Sequence, residues 1–420
     1  MAWVLAALMG SALVLGAGRK GAKPGAEIGP VVTVARVEAI QNESPVDPEG
    51  SYDWGACVMM DKGVYRMWWT RPSPRSTNTY PYRVRHGGNW VELPCPARGD
   101  RIYYSESTDG HTWRLGDAPG PGAIQVPEDP EIVLTASETS TQRRHVGCPS
   151  VVKVRGTYYM FYEAPSEFEV RTNALGHLEV GQEYQNQVFL ATSADGRHFH
   201  KWPSDAAPVP VIPAPEANLA PGRHRYGRGQ PSVAYRKGRF VLHYVDSCAW
   251  WPDTIVRVES EDPYFRNPEY FQGGLAAPDI RRRPPPNGAV AKFAQTDLAW
   301  SGEYWVLVRP VYGTGALGLL ASKDGVFRCD DASNEPRHCP VKLAVPDPRG
   351  PTFQARMYPR FLRTPHGELV RDGDIVSVFY GSGRSDGPGW APSTWDIHRV
   401  DIRLRGNLRI LGTASSLGGH

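Results

Sequence analysis

The feature that most constrains this chain is a repeated turn. Ser107-Thr-Asp109-Gly110-His-Thr-Trp113, Ser193-Ala-Asp195-Gly196-Arg-His-Phe199, Ser260-Glu-Asp262-Pro263-Tyr-Phe265 and Ser322-Lys-Asp324-Gly325-Val-Phe327 follow one pattern. Self-similarity of this kind marks an array of equivalent units. Each copy follows a short β-rich run: RIYYSES, VFLATS, TIVRVES and LGLLAS. Ser-x-Asp-Gly therefore reads as a hairpin turn in which the Asp carboxylate bonds nearby backbone and Gly takes positive φ. On this reading the turn aspartates are structural.

A second repeat lies upstream of each turn, in ACVMMDKGVYRMWW, PSVVKVRGTYYMFY, PSVAYRKGRFVLHY and TDLAWSGEYWVLV, with a looser fifth copy in YPRFLRTPHGELVRDGDIVSVFY. These are hairpins turning at Gly63, Gly156, Gly238, Gly302 and Gly373. Five hairpins, each with one or two further strands, are what five four-stranded propeller blades require. Extended segments at 31–37 and 395–404 would together complete the last blade, and closure removes exposed sheet edges. The expectation is all-β: a five-bladed β-propeller forming a single closed domain over residues 49–405. Residues 19–48 supply a linker and closing strand, and residues 406–420 a tail. The 13 Trp, 19 Tyr and 12 Phe fit short apolar runs, and 44 Gly with 39 Pro supply the turns between them. Alternation along a strand predicts that Trp68 and Trp69 face opposite ways, one into the core and one out.

Forty-seven Lys and Arg against 44 Asp and Glu leave a net charge of +3. Such a balance gives no footprint for nucleic acid. Residues 2–18 form an uncharged apolar stretch followed by Arg19 and Lys20, which reads as a signal peptide or a membrane anchor and predicts an exported protein. In an exported chain six cysteines point to disulfides. Cys329 and Cys339 flank a short polar loop, and Cys57 with Cys95 and Cys148 with Cys248 are the further pairings suggested.

The run from Pro149 through Gly156 to Tyr162, followed by the Ser193-x-Asp-Gly turn, resembles the five-bladed propeller glycosidases. These are the arabinanase and β-xylosidase family (family 43) and the invertase family (family 32). The similarity extends from about Ser51 to Leu404. It implies a carbohydrate substrate or ligand and hydrolysis of glycosidic bonds by a pair of carboxylates, one acid and one base or nucleophile.

Loop lengths point to one face. The connections at 70–100, 164–186, 203–228, 266–292 and 329–356 are long, and all fall where the inner strand of a blade begins. The carboxylates on that face are Asp53, Glu163, Asp246 and Asp297. Asp53 resembles the first-blade aspartate that serves the family as base or nucleophile. Glu163 leaves an apolar hairpin, where burial would raise its pKa as a general acid needs. Asp246 occupies a nearly equivalent place in the third blade, and Asp297 lies within an inner strand. The family places acidic residues immediately before its Pro-Ser-Val strands, whereas this chain has Cys148 and Gln230 there. A non-catalytic carbohydrate-binding propeller therefore stands as the alternative.

Arg143, Arg144, His145, Arg223, His224, Arg225, Arg228, Arg356 and Arg360 line the same face. Convergent guanidinium forks would suit an acidic glycan, and a sialidase-like hydrolase is a second alternative. Trp54, Trp250 and Trp251 are candidate sugar platforms, with Arg144, His145, Arg228, Gln230 and Arg360 as polar contacts. The GxGxxG match at Gly313–Gly318 is followed by another short strand and not a helix, so it is no dinucleotide site. No zinc spacing is present, and neither a metal nor a cofactor is expected.

Overall fold

The structure is a computed structural model. It describes residues 31–39, 54–72, 82–86, 89–93, 100–113, 123–124, 131–135, 145–172, 178–214, 226–246, 254–271, 295–311, 315–322, 325, 341–345, 355–383 and 396–405. The expectations for residues 1–18, the Cys329–Cys339 pair, Asp53, Arg144, Trp250 and Trp251 lie outside these residues.

Apolar runs broken by Gly turns form antiparallel ladders within each unit, and the described residues contain no helix. The first strand, β1 (Val31–Ala39), belongs to the last unit. Unit 1 comprises β2 (Trp54–Asp61), β3 (Val64–Pro72), a small separate hairpin β4 (Tyr82–His86) and β5 (Asn89–Leu93), then β6 (Asp100–Ser107) paired with both β7 (Ala123–Ile124) and β8 (Glu131–Leu134). Unit 2 is β9 (Gly147–Val154), β10 (Thr157–Thr172), β11 (Leu178–Ser193) and β12 (His200–Lys201). Unit 3 is β13 (Arg228–Arg236), β14 (Arg239–Asp246), β15 (Thr254–Ser260) and β16 (Glu269–Phe271). Unit 4 is β17 (Asp297–Trp300), β18 (Trp305–Val311), β19 (Ala316–Ser322) and β20 (Val341–Ala344). Unit 5 is β21 (Ala355–Arg363), β22 (Ile375–Gly383) and β23 (Asp396–Arg405), completed by β1, which pairs antiparallel with β23 from Val31–Arg405 to Ala39–His398.

No sheet closes on itself. The first strands of the units meet instead: β2 packs on β9, β9 on β13, β13 on β17 and β17 on β21, and β21 runs parallel to β2 through Val58–Leu362 and Met59–Arg363. Apolar clusters fill the interfaces between consecutive units. Trp68 and Tyr104 of unit 1 meet Tyr158 and Phe189 of unit 2, while Val58, Trp69 and Tyr103 meet Leu362 and Phe379 of unit 5. A sheet sandwiched in this way buries both faces. This corrects the expectation for Trp68 and Trp69, which are both fully buried.

Two further expectations change. The connection at 164–186 is mostly strand, because β10 and β11 continue as a long hairpin past the end of the unit. Cys57 and Cys148 are free, buried thiols, so the suggested pairings to Cys95 and Cys248 are not formed. Cys57 Sγ instead accepts hydrogen bonds from the Val151 amide (3.3 Å) and from Arg363 (3.2 Å).

The repeated turns behave as the sequence suggests. Asp109 Oδ1 accepts the amides of His111 and Thr112 at 2.8 Å, and Asp195 Oδ1 accepts those of Arg197 and His198 at 2.8 and 2.9 Å. Gly110 has φ +69° and lies so close to the Tyr65 ring that any side chain there would collide with it. The turns also tie units together. Trp68 Nε1 donates to Gly196 O (2.9 Å), His243 Nε2 to Gly325 O (3.2 Å) and Arg399 Nη1 to Gly110 O (3.2 Å).

His243 yields a pH prediction. Burial, and then Arg257, push its pKa from 6.5 down to about 3. The unfolded chain takes up a proton near the ordinary value, whereas the folded chain does so only near the depressed one. The folded state therefore loses stability as pH falls through that window, and above it this group has no effect. His243→Gln is expected to make the unfolding midpoint fall less steeply across the window than in the native protein. An identical slope in chemical denaturation would contradict this.

A candidate active site where the inner strands begin

Five residues at equivalent places share a left-handed backbone: Gly55 (φ +64°), Cys148 (+50°), Gln230 (+52°), Gln295 (+59°) and Tyr358 (+48°). Glycine tolerates this conformation, but the other four adopt it at a cost of about 1 kcal/mol or more each. Each stands two residues before a member of a second set: Cys57, Ser150, Ser232, Asp297 and Arg360. The ladder shifts register at Trp54/Cys57, Gly229/Ser232 and Met357/Arg360, and bulges of this kind re-aim side chains beside active sites. A left-handed residue repeated at one place in every unit, strained in four of them and held by surrounding structure, is a pointer to function.

The second set converges. Asp297 is fully buried. Its Oδ1 accepts from Ser232 Oγ (2.7 Å) and Arg360 Nη1 (3.1 Å) and lies 3.5 Å from Arg363 Nη1, while Oδ2 accepts the Phe361 amide (2.9 Å). Arg363 Nη2 reaches Ser150 Oγ (3.0 Å) and Cys57 Sγ (3.2 Å). Burial pushes the Asp297 carboxyl up, but Arg363 and Arg360 outweigh it and hold it below the usual range. Asp297 is thus a buried counter-charge to two arginines, engaged wholly within the protein.

Glu163 lies beside this core. It is buried and pairs across the ladder with Gly147, at the start of β9. Its Oε2 accepts the Gln230 amide (2.6 Å) and the Tyr226 hydroxyl in a short hydrogen bond. Its Oε1 lies 3.9 Å from His145 Nε2, and His145 Nδ1 is bonded to Asp100 Oδ2 at 2.7 Å. Gly147 and Gly229 back this group: a side chain at Gly229 would strike Glu163 and Tyr226, and one at Gly147 would strike the His145 ring. Burial pushes the Glu163 carboxyl up, but His145, Tyr226 and the Gln230 amide together hold it below the ordinary range. Donors aimed at a carboxylate favour its ionised form. The raised pKa expected from burial is therefore not found, because two hydrogen bonds and the neighbouring His145 outweigh desolvation. The Tyr226 phenol is pushed well above its ordinary value by burial and by Glu163. The Cys148 thiol is likewise pushed up, first by burial and then by Glu163, with Arg360 opposing.

The remaining candidates divide. His145 stacks on Trp54 (ring centroids 5.8 Å apart, 15° between planes), and Trp54 packs on Tyr358 at 4.5 Å, so His145 borders Glu163 and Trp54 lies behind His145. Gln230 reaches the site through its amide, and its side-chain oxygen accepts the Gln295 amide. Asp246 is out of step: Gly229, the counterpart of Gly147, pairs with Val245, and Asp246 stands one residue further along, opposite Arg228. A one-residue offset turns a side chain to the other face, and Asp246 Oδ2 takes Arg228 Nε at 2.9 Å. Sequence reasoning missed Asp100, Tyr226, Gln295 and Tyr358. Aligning the five hairpins at the residue two before the second set would have found Gln295 and Tyr358, but no local pattern marks Asp100 or Tyr226. Among the described residues, no group of three or more His, Cys, Asp or Glu is placed to hold a metal ion.

No protein-family model matches the sequence, and no curated protein matches it. Solved structures do. The chain is similar to Zg3597, a family 117 glycoside hydrolase of the marine bacterium Zobellia galactanivorans, at 15% identity over 89% of this chain and 91% of that one, with a TM-score of 0.51. It is similar to BT0996, solved as an RGII complex, at 12% identity over 90% of this protein and 94% of that one, TM-score 0.50. A third, described as a glycoside hydrolase, matches at 12% identity over 91% and 96%, TM-score 0.50. At these identities the likeness shows a shared fold.

Proposed function

We propose that the protein is an exported, closed five-bladed propeller of the family 43 and 32 type that hydrolyses glycosidic bonds in an oligo- or polysaccharide, and that the glycan is acidic. The observation that carries this reading is Glu163. It is a buried carboxylate at the strained end of the inner strands, held by Tyr226, Gln230 and His145. The glycoside hydrolase fold of the structural neighbours supports it. In this reading Glu163 is the ionised member of the catalytic pair, acting as base or nucleophile. Asp53, just ahead of β2, is the other carboxylate. Trp54 supplies an aromatic face for the sugar, and His145, fixed by Asp100, tunes Glu163. Asp246 and Asp297 have structural roles.

The experiment is release of reducing sugar from neutral and acidic polysaccharides and aryl glycosides, with Asp53→Asn run in parallel. Release abolished by that substitution supports the reading. Glycan binding without release from any substrate overturns it in favour of the binding propeller, which the presence of Cys148 and Gln230 at two strained positions favours. A pH profile gives a second check. Tyr226→Phe removes a donor that lowers the Glu163 pKa, so the acidic limb of kcat/KM is expected to move to higher pH. An unmoved limb would exclude Glu163 as the group that titrates there.

A further inference from the structure

Arg360 is 1% exposed, yet only one edge of its guanidinium is used. Nη1 donates to Pro231 O (3.1 Å), Thr296 O (3.4 Å) and Asp297 Oδ1 (3.1 Å), which fixes the plane of the group. Nε and Nη2, the pair that forms a side-on fork, have no hydrogen-bond partner among the described residues. Buried polar groups left in this state call for an explanation, and two more stand nearby. Gln295 Oε1, on the residue preceding Thr296, is buried and unpaired among the described residues, and so is Trp54 Nε1. Arg360 is linked to Glu163 through Cys148, whose thiol feels both charges, and Cys148 packs with Trp54 and Tyr358. Charge points the same way. Arg360 and Arg363 share the single carboxylate of Asp297, and the other partners of Arg363 are the neutral Ser150, Ser232, Cys57 and the Val233 carbonyl. Both guanidiniums therefore lean on one hydrogen-bonded carboxylate, and the other nearby negative charge, the ionised Glu163, lies beyond Cys148 and not on the free edge of Arg360.

We propose that the Nε–Nη2 edge of Arg360 receives the carboxylate of a uronate residue, and that the Gln295 side-chain oxygen accepts a hydroxyl of the same sugar. A planar carboxylate matches a guanidinium fork with two parallel hydrogen bonds. A uronate also carries donor hydroxyls beside its carboxylate. Trp54 and Tyr358, whose rings lie 4.5 Å apart, pack with Cys148. The inference rests on the hydrolase reading for its location and deepens it by naming the specificity group.

The test pairs galacturonate- and glucuronate-containing oligosaccharides with their carboxyl-reduced counterparts, on the full chain. Calorimetric binding and reducing-sugar release are measured separately. The uronate member is expected to bind about ten- to a hundredfold more tightly than its reduced partner, the scale of hydrogen bonds to a charged group. Arg360→Lys keeps a cation for Asp297 but loses the fork, and is expected to remove that preference. If this variant fails to fold, the comparison on the native protein decides alone. Equal binding of both members, binding of neither, or a preference for sulfated oligosaccharides over uronates overturns the proposal. Selective uronate binding without release keeps the proposal and overturns the hydrolase reading. Equal release from acidic and reduced partners keeps the hydrolase reading and overturns the proposal.

Discussion

Glu163→Gln is expected to lower kcat by about 10²–10⁴-fold, the usual contribution of a positioned acid or base, while saccharide binding is largely kept. The Tyr226 hydroxyl and the Gln230 amide both donate to Glu163 Oε2, and an amide oxygen in that place can still accept from both. What is lost is the negative charge that those donors and His145 maintain. Initial rates and binding constants on the same substrate separate the two effects. Loss of binding in proportion to rate would make Glu163 a ligand contact, and an unchanged rate would remove it from the reaction.

Asp297→Ala is expected to act on stability. Its carboxylate is the counter-charge for Arg360 and Arg363, and it also accepts Ser232 Oγ and the Phe361 amide, all at a fully buried position. Removing one partner of a buried ion pair leaves the other charge uncompensated, at a cost of about 3–5 kcal/mol. Two guanidiniums share this carboxylate, which places the variant towards the upper end. Chemical denaturation of Asp297→Ala beside the native protein measures it. Asp297→Asn keeps an acceptor for Ser232 and Phe361 and should lose less. A loss below about 1 kcal/mol for the alanine variant would mean that the arginines are paired elsewhere.

The units of the fold were legible because their determinants are local. A Ser-x-Asp-Gly turn is specified by side-chain bonds two and three residues away, and a hairpin by its glycine and its flanking apolar runs. Even the long-range pairing of β1 with β23 could be anticipated, since the last unit was one strand short. The long hairpin of β10 and β11 was readable in the alternation Phe168, Val170, which a length argument passed over. The partners of Glu163 were not legible, because Asp100, His145, Tyr226 and Gln230 come from separate segments and meet only through packing. Asp246 stands one residue past the place that Glu163 holds in unit 2, opposite Arg228 where Glu163 faces Gly147. Arg360 reads in sequence as one more loop-flanking cation, yet the structure uses it inside the core. An even cysteine count cannot distinguish thiols from disulfides, and Cys57 serves as a hydrogen-bond acceptor in the protein interior.

The central claim is that chemistry occurs around Glu163, at the strained ends of the inner strands. The most direct measurement is a crystal structure of the Glu163→Gln protein with a bound oligosaccharide that the native protein cleaves. The predicted result is a sugar ring seated against Trp54, with its glycosidic oxygen or anomeric carbon facing position 163 and its neighbours Tyr226 and His145. A saccharide bound instead at the Ser-x-Asp-Gly turns, or on the outer strands away from Glu163, would contradict it.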